Sequence, residues 1–198
     1  RTTTRVNHTR GAVTLGTLAP RPGPGRFVKD PFSQVMVPAV ARQAHARLMA
    51  KQDQVRQLAE TSPFNRLTGQ GPWGVVASGV AAACAEDAIQ ELGLKDRVTF
   101  LKLGFTHPLP EKLIIDFLQR VERVLVVEEL DPYLEDGLKA IAQARGLTLP
   151  IRGKGEGLFS RLYEYQPALV RQVMAGFFGV PCEAPPPPDP LELWGGAL

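Results

Sequence analysis

The sequence predicts an α/β protein with a doubly wound, mostly parallel sheet, and three observations support this class. Short aliphatic runs at 73–77, 98–103 and 124–127 are too brief for stable helices and are typical of strands buried on both faces. A longer amphipathic stretch follows each run, and glycine or proline separates the units. Because strands alternate with helices, we expect parallel strands joined by right-handed crossovers.

Two kinds of segment precede the predicted sheet. Residues 1–15 alternate threonine, valine and polar residues, as at the end of a strand, and P-R-P-G-P-G at 20–25 predicts a linker. A helix is predicted over 37–61, with Pro38 at its start. Its apolar stripe is narrow, so we expect it to lie across a domain surface or to bridge two domains. Residues 69–72 are predicted to be a flexible hinge.

Four strand–helix units follow in succession. Their predicted strands are 73–77, 98–103, 124–127 and 147–152, the last being the weakest. Their predicted helices are 80–92, 111–121, 133–144 and 167–178. A glycine-rich turn, G-K-G-E-G at 153–157, precedes the last helix. Neither this turn nor Ser78-Gly79 has the spacing of a phosphate-binding loop, so helix entry and loop flexibility are taken to explain both.

The third unit, R-V-L-V-V-E-E-L-D-P-Y-L at 123–134, carries the main candidate site. Its strand ends on Glu128 and Glu129, at the edge where open α/β sheets place ligands or partners. Asp131 is predicted to cap the next helix. Paired carboxylates suit acid–base chemistry when their pKa values diverge. The favoured alternative is that one carboxylate enters a network near the helix N-terminus and the other stays in solvent.

Histidines mark two further candidate positions. His107 follows a predicted strand and could face a cofactor, although a bond to a carbonyl or a cap on the next helix is the favoured interpretation. His8 lies between Arg5 and Arg10, and two guanidiniums beside an imidazole suit an anionic carboxylate or diphosphate. The same three residues would equally suit a salt-bridged domain interface. No residue is assigned a catalytic or metal-binding role.

Composition excludes several classes of protein. Apolar residues make up 44% and charged residues 22% of 198 residues, and the net charge of +3 is dispersed, which argues against nucleic-acid binding. The two cysteines, Cys84 and Cys182, form no C-x-x-C pair, which suits a reducing cytoplasm. No apolar run approaches the roughly 20 residues of a membrane span. The chain opens on Arg1 rather than Met, as if cut within a domain.

Four stretches resemble the large subunit of indolepyruvate ferredoxin oxidoreductase, a thiamine-diphosphate-dependent 2-oxoacid:ferredoxin oxidoreductase. They are R-T-T-T-R-V-N-H-T-R-G at 1–11, V-A-S-G-V-A at 76–81, L-K-L-G-F-T-H-P-L-P at 101–110 and V-V-E-E-L-D-P-Y-L-E at 126–135. The resemblance implies four parts for this chain. They are the C-terminal edge of a pyrimidine-binding domain at 1–18, a linker and bridging helix at 19–72, a transketolase C-terminal-like domain at 73–180, and a proline-rich tail at 181–198.

The resemblance also implies an activity for the complete subunit. That subunit would oxidatively decarboxylate aryl pyruvates to aryl-acetyl-CoA and reduce ferredoxin, using thiamine diphosphate, Mg²⁺ and two 4Fe–4S clusters, with a smaller second subunit. The segment in hand would lack the residues that hold these cofactors and would act in architecture and subunit contact. Two alternatives stay open. One is a free-standing α/β module whose acidic strand edge binds a basic partner, and the other is a domain of a transketolase-like or dehydrogenase subunit.

Overall fold

The computed structural model describes residues 7–8, 10–20 and 23–183. The chain divides into two compact units between Val55 and Arg56. Among the described residues, no helix combines the length and the apolar character that crossing a bilayer requires.

The described residues of the first unit form helices without a buried core. Helix α1 spans Pro31–Gln34, and the Asp30 carboxylate accepts a hydrogen bond from Phe32 N at 3.2 Å. Helix α2 spans Pro38–Thr61 and continues across the division, close to its predicted bounds. The described residues before position 56 include none that is buried. Residues 10–20 form neither helix nor strand, so the domain edge expected at 1–18 stays a prediction.

The second unit is organised around a five-stranded sheet with the order β1-β3-β2-β4-β5. Its strands are β1 (Arg66–Thr68), β2 (Trp73–Ser78), β3 (Val98–Leu103), β4 (Arg123–Val127) and β5 (Ile151–Arg152). Strands β2 to β5 run parallel to one another, and β1 pairs antiparallel with β3. The predicted mostly parallel α/β class is confirmed.

Helices cover both faces of this sheet. They are α3 (Gly79–Glu91), α4 (Glu111–Leu118), α5 (Tyr133–Ala144) and α6 (Pro167–Phe178). Val75 and Ala77 point into a core shared with α3 and α6, whereas Val76 between them points into a core shared with α4 and α5. Two buried faces explain why β2 is apolar at successive positions rather than at alternate ones. The doubly wound arrangement is therefore confirmed.

The predicted hinge at 69–72 is wrong. Gly71 is buried, and Thr99 Oγ1 donates a hydrogen bond to its carbonyl oxygen at 2.6 Å. A Cβ on Gly71 would lie 1.9 Å from the carbonyl carbon of Arg97, so this glycine permits close backbone packing rather than motion. Strand β1, just before these residues, pairs with β3, so the sheet itself begins before Trp73. The linker and bridging helix expected at 19–72 stay a prediction.

The fourth predicted strand is shorter than expected. Strand β5 contains only Ile151–Arg152, while residues 147–150 do not have strand conformation. Pro150 has no N–H to donate, although its carbonyl oxygen accepts a hydrogen bond from Val124 N at 2.8 Å. The end of β5 nevertheless places the glycine-rich turn beside the carboxyl end of β4.

Candidate functional site

The predicted residues Glu128, Glu129 and Asp131 lie where β4 ends, and His107 lies in the loop after β3. Because β2 to β5 are parallel, their carboxyl ends share one edge of the sheet, here called the carboxyl edge. The glycine-rich turn after β5 also lies at this edge. We describe the contacts of each residue in turn.

Glu128 holds the N-terminus of helix α5. Its side chain is buried, and its two carboxylate oxygens accept hydrogen bonds from Leu134 N at 2.7 Å and Glu135 N at 2.9 Å. Helix N-termini leave N–H groups without intrahelical partners, and a carboxylate there is electrostatically favoured. Burial raises the pKa of Glu128, although the two backbone hydrogen bonds oppose that rise. The favoured interpretation, a carboxylate within a network at this helix, is the arrangement the structure has.

The predicted N-cap at Asp131 is wrong. Helix α5 begins at Tyr133 with Pro132 at the cap position, and no side-chain cap bond is formed there. Asp131 is exposed, and its carbonyl oxygen accepts a hydrogen bond from Tyr133 N at 2.8 Å. Glu128 takes the capping role because the chain folds back at Leu130, which has a left-handed φ of 64°. A carboxylate six residues before its N–H partner is outside the usual capping patterns.

Glu129 does not stay in solvent, contrary to the interpretation offered for it. It is half-buried, and its Oε1 accepts a hydrogen bond from Tyr165 N at 2.9 Å. That bond joins the turn after β4 to the loop before α6. Glu128 and Glu129 therefore serve different backbone segments and do not form a proton-sharing pair.

A third carboxylate, which sequence reasoning missed, lies at the centre of the site. Glu135 is fully buried, and its Oε2 accepts hydrogen bonds from Lys154 N at 2.6 Å and Gly155 N at 3.0 Å. Its Oε1 accepts one from Lys139 Nζ at 2.6 Å. Burial disfavours the charged form, but the Lys139 contact and the two backbone N–H groups outweigh it, so the pKa of Glu135 is lowered.

The glycine-rich turn at 153–157 thus binds an anion, and that anion is the Glu135 carboxylate of the same chain. A Cβ on Gly153 or on Gly155 would lie 2.8 Å from an oxygen of the Glu135 carboxylate, so both positions need glycine. The explanation by loop flexibility is wrong for this turn. The usable signal in the sequence was G-K-G-E-G itself, because a glycine-rich turn often wraps a negative charge.

Lys154 connects this turn to the last loop. Its side chain is buried, and Nζ donates hydrogen bonds to Ser160 O at 2.6 Å and to the Tyr165 hydroxyl. Burial lowers the pKa of Lys154, while the charges of Glu128 and Glu129 oppose the change. Burial together with the same two carboxylates raises the pKa of the Tyr165 hydroxyl. The Tyr165 ring stacks on Phe159 with centroids 5.0 Å apart.

The predicted histidines are both exposed. His107 Nδ1 and the Tyr133 hydroxyl are hydrogen-bonded at 2.9 Å. The partner of His107 is therefore a phenol hydroxyl, and not the carbonyl oxygen or the helix end that we expected. His8 and Arg10 are exposed, and Arg5 lies outside the described residues. The anion site proposed for these three residues therefore stays a prediction.

Metal binding finds no support in the part of the chain that is described. No group of three or more His, Cys, Asp or Glu side chains there could hold a metal ion. Cys84 is buried in the core packed against α3 and α6. Two cysteines in the whole chain do not fit a 4Fe–4S cluster, which takes four thiolates.

The contacts at the carboxyl edge are structural. The side chains of Glu128, Glu129, Glu135 and Lys154 hydrogen-bond helix α5, the glycine-rich turn and the loop before α6.

Comparison with known proteins shows what the chain is related to. No protein-family profile matches it. It is 42% identical over 197 residues, 96% of its length, to a protein of Methanothermobacter thermautotrophicus, and 38% identical over 187 residues to one of Thermococcus kodakarensis. The chain is homologous to a segment of oxidoreductase subunits.

Both relatives are named indolepyruvate oxidoreductase subunit IorA, which confirms the resemblance predicted from the sequence. The chain spans 32% and 28% of their respective lengths, so it corresponds to less than a third of each.

Two solved structures align with part of this chain. An inactive β4 tetramer of a split-gene transketolase aligns with 58% of this chain and 42% of its own, at 18% identity and a TM-score of 0.44. A 2-oxoglutarate:ferredoxin oxidoreductase from Magnetococcus marinus aligns with 71% of this chain and 24% of its own, at 16% identity and a TM-score of 0.47.

Proposed function

We propose that this chain is a non-catalytic segment of the large subunit of an indolepyruvate:ferredoxin oxidoreductase. The observation that carries the proposal is the 42% identity, which extends over 96% of the chain but only 32% of the relative. The complete enzyme would oxidatively decarboxylate aryl pyruvates to aryl-acetyl-CoA and pass the electrons to ferredoxin. A smaller second subunit and CoA would be its other partners, and the reaction would take place in the cytoplasm.

The cofactors of that reaction would be held elsewhere in the subunit. Thiamine diphosphate, Mg²⁺ and two 4Fe–4S clusters are expected for the complete protein, and the thiamine would supply the ylid on which an aryl pyruvate loses CO₂. In the part of the chain that the structure describes, the buried carboxylates of Glu128 and Glu135 already accept hydrogen bonds from the chain's own N–H groups, so we assign neither to these cofactors. We therefore derive no catalytic step through the residues of this segment.

The role proposed for the segment is architectural. A sheet domain with two cores can hold neighbouring domains in register only if the loops at its surface keep one conformation. The carboxyl edge meets this requirement, because three carboxylates accept hydrogen bonds from the backbone of its loops. Glu128 binds the start of α5, Glu129 binds the loop at Tyr165, and Glu135 binds the glycine-rich turn. Arg5, His8 and Arg10 are proposed to contact an anionic group, which is either a carboxylate or diphosphate ligand or the acidic partner in a salt-bridged domain interface.

The test uses the full-length subunit together with its smaller partner. Glu128→Gln and Glu129→Gln should reduce subunit assembly or thermal stability, while the assembled fraction keeps a near-normal rate of indolepyruvate-dependent ferredoxin reduction. Asp136→Asn is the matched control, because Asp136 is an exposed acid in the first turn of α5. Normal assembly combined with lost decarboxylation would assign these carboxylates to the chemical step instead. Reduction of ferredoxin by residues 1–198 alone would overturn the proposal.

A further inference from the structure

The hydrogen-bond donors around the Glu135 carboxylate form a compact site at the carboxyl edge. Two of them are backbone N–H groups of the glycine-rich turn, those of Lys154 and Gly155, at 2.6 and 3.0 Å from Oε2. The third is the Lys139 ammonium, at 2.6 Å from Oε1. Both carboxylate oxygens are therefore bound, and the three donors come from two different elements of the fold.

The turn has structural support apart from the carboxylate that it binds. Gly157 N donates a hydrogen bond to the carbonyl oxygen of Lys154 at 3.0 Å, and Leu158 N donates one to that of Gly153 at 3.1 Å. The Lys154 side chain donates to Ser160 O at 2.6 Å. Successive backbone N–H groups in a turn are a common anion-binding element of proteins. The turn therefore has the parts of a ligand-binding site, and the chain itself supplies the ligand.

Glycine keeps open the space that this ligand occupies. A Cβ on Gly153 would lie 2.8 Å from Glu135 Oε2 and 3.0 Å from Val126 O, and a Cβ on Gly155 would lie 2.8 Å from Glu135 Oε1. Gly155 is not among the glycines with positive φ, so its backbone conformation also accepts alanine. At Gly155 it is therefore the bound carboxylate, and not the backbone, that excludes a side chain.

The donors favour a small carboxylate over other ligands. Two N–H groups on one oxygen and an ammonium on the other suit a planar anion that has two oxygens. Burial opposes ionisation of Glu135, yet its pKa is lowered, so the donors favour a charged ligand over a neutral one.

We propose that the 153–157 turn and Lys139 form a binding site for a small carboxylate, which the Glu135 side chain of the same chain occupies. In the unmodified chain the tethered carboxylate keeps free anions out, because its effective local concentration is far higher than theirs. Removing the tethered carboxylate should leave a site that binds a free one. The proposal concerns this chain alone and does not depend on the activity proposed for the complete enzyme.

Glu135→Ala followed by addition of acetate tests the proposal. The substitution removes the same non-hydrogen atoms that acetate contains, so acetate fits the space that the side chain leaves. Urea denaturation is compared in sodium acetate and in sodium chloride at equal ionic strength and neutral pH. At about 0.1 M acetate, the ratio of folded to unfolded E135A should rise roughly 10- to 100-fold above its value in chloride, as for a millimolar dissociation constant. Amide hydrogen exchange at 153–157 should slow in parallel.

Two variants separate binding at this site from a general effect of acetate. Glu135→Gln keeps an uncharged side chain of the same shape in the site, so acetate should stabilise it no more than chloride does. E135A/G155A places a methyl group where a carboxylate oxygen lay, so its response to acetate should be lost. The unmodified chain should be equally stable in the two salts.

Several results would overturn the proposal. One is an E135A variant that acetate stabilises no more than chloride does. Another is an equal response to acetate in Glu135→Gln, in E135A/G155A or in the unmodified chain, because acetate would then act elsewhere. If E135A is unfolded in chloride, acetate should refold it, and failure to refold counts equally against the site.

Discussion

Phe27 and Phe117 are the same residue type in two regions that bury apolar surface very differently. Phe27, in the unit before Arg56, is 80% exposed, whereas Phe117 on α4 is fully buried against β2 and β4. Both regions contain many apolar residues, yet only the second arranges them on two faces of a sheet. The comparison teaches that apolar content alone does not make a core, because strands and helices must also return to one another.

Replacing each phenylalanine with alanine should give the largest difference between the two regions. Phe117→Ala should lower the free energy of unfolding by about 4 kcal/mol, since it removes a buried ring and leaves a cavity. Phe27→Ala should change it by less than about 0.5 kcal/mol. Urea denaturation measures both. Equal losses would show that the first unit has a core of its own.

Removal of the buried carboxylate should have the next largest effect. Glu135→Ala leaves the N–H groups of Lys154 and Gly155 buried without an acceptor, and we expect a loss of about 3 kcal/mol. The adjacent exposed acid is the control, since Asp136→Ala should cost well under 1 kcal/mol. Amide hydrogen exchange at 153–157 should increase only in the Glu135 variant. Unchanged exchange at 153–157 would contradict the proposal that the Glu135 carboxylate holds this turn in place.

Two glycines should respond to alanine with opposite signs. Gly71→Ala places a Cβ against the backbone of Arg97 and should cost about 2 kcal/mol. Gly176→Ala in helix α6 meets nothing within 4 Å, so better helix propensity should stabilise the fold by about 0.5 kcal/mol. Thermal melts of the two variants decide the matter. A stabilised Gly71 variant would restore the flexible hinge that the sequence suggested.

The cap at the start of α4 should matter less. Glu60 accepts hydrogen bonds from Lys112 N at 2.9 Å and Leu113 N at 3.2 Å, so it caps a helix about fifty residues away. Glu60→Ala should lower stability by about 1 kcal/mol, the usual cost of losing a cap. Glu111→Ala is the control, because that exposed acid makes no such bond among the described contacts. Equal losses in chemical denaturation would contradict the capping role.

The smallest effect should be the dependence of stability on pH. Burial raises the pKa of Glu128 above 4.5, so the folded state binds that proton more tightly than the unfolded state, and stability falls as pH rises from 4.5 through the raised value. The lowered pKa of Glu135 acts in the opposite sense, and its contribution is lost as pH falls below 4.5. Denaturation across this range should show a decline above 4.5 that Glu128→Gln flattens. A rise there would reverse the assignment.

The site was less predictable than the fold, and particular residues show why. Glu128 at a strand end was identified because its position follows from the aliphatic run before it. Glu135 was overlooked because its place in an amphipathic helix predicts an ordinary polar surface residue. Its partners Lys154 and Gly155 lie about twenty residues further along the chain, where no local pattern connects them to it. Asp131 was misassigned because Asp before Pro at a helix start is the usual local pattern for a cap, and a more distant carboxylate took that role.

The amino-acid sequence by itself determined the elements of the sheet unit. Aliphatic runs set β2, β3 and β4, and proline or glycine set the bounds of α5 and α6, because these signals act within a few residues of backbone. Only the tertiary structure decided that β1 joins the sheet, that Gly71 packs against Arg97 and that a glycine-rich turn binds an internal carboxylate. Each of these features depends on contacts between backbone groups that are far apart in the sequence, and a local sequence pattern does not determine which distant groups come into contact.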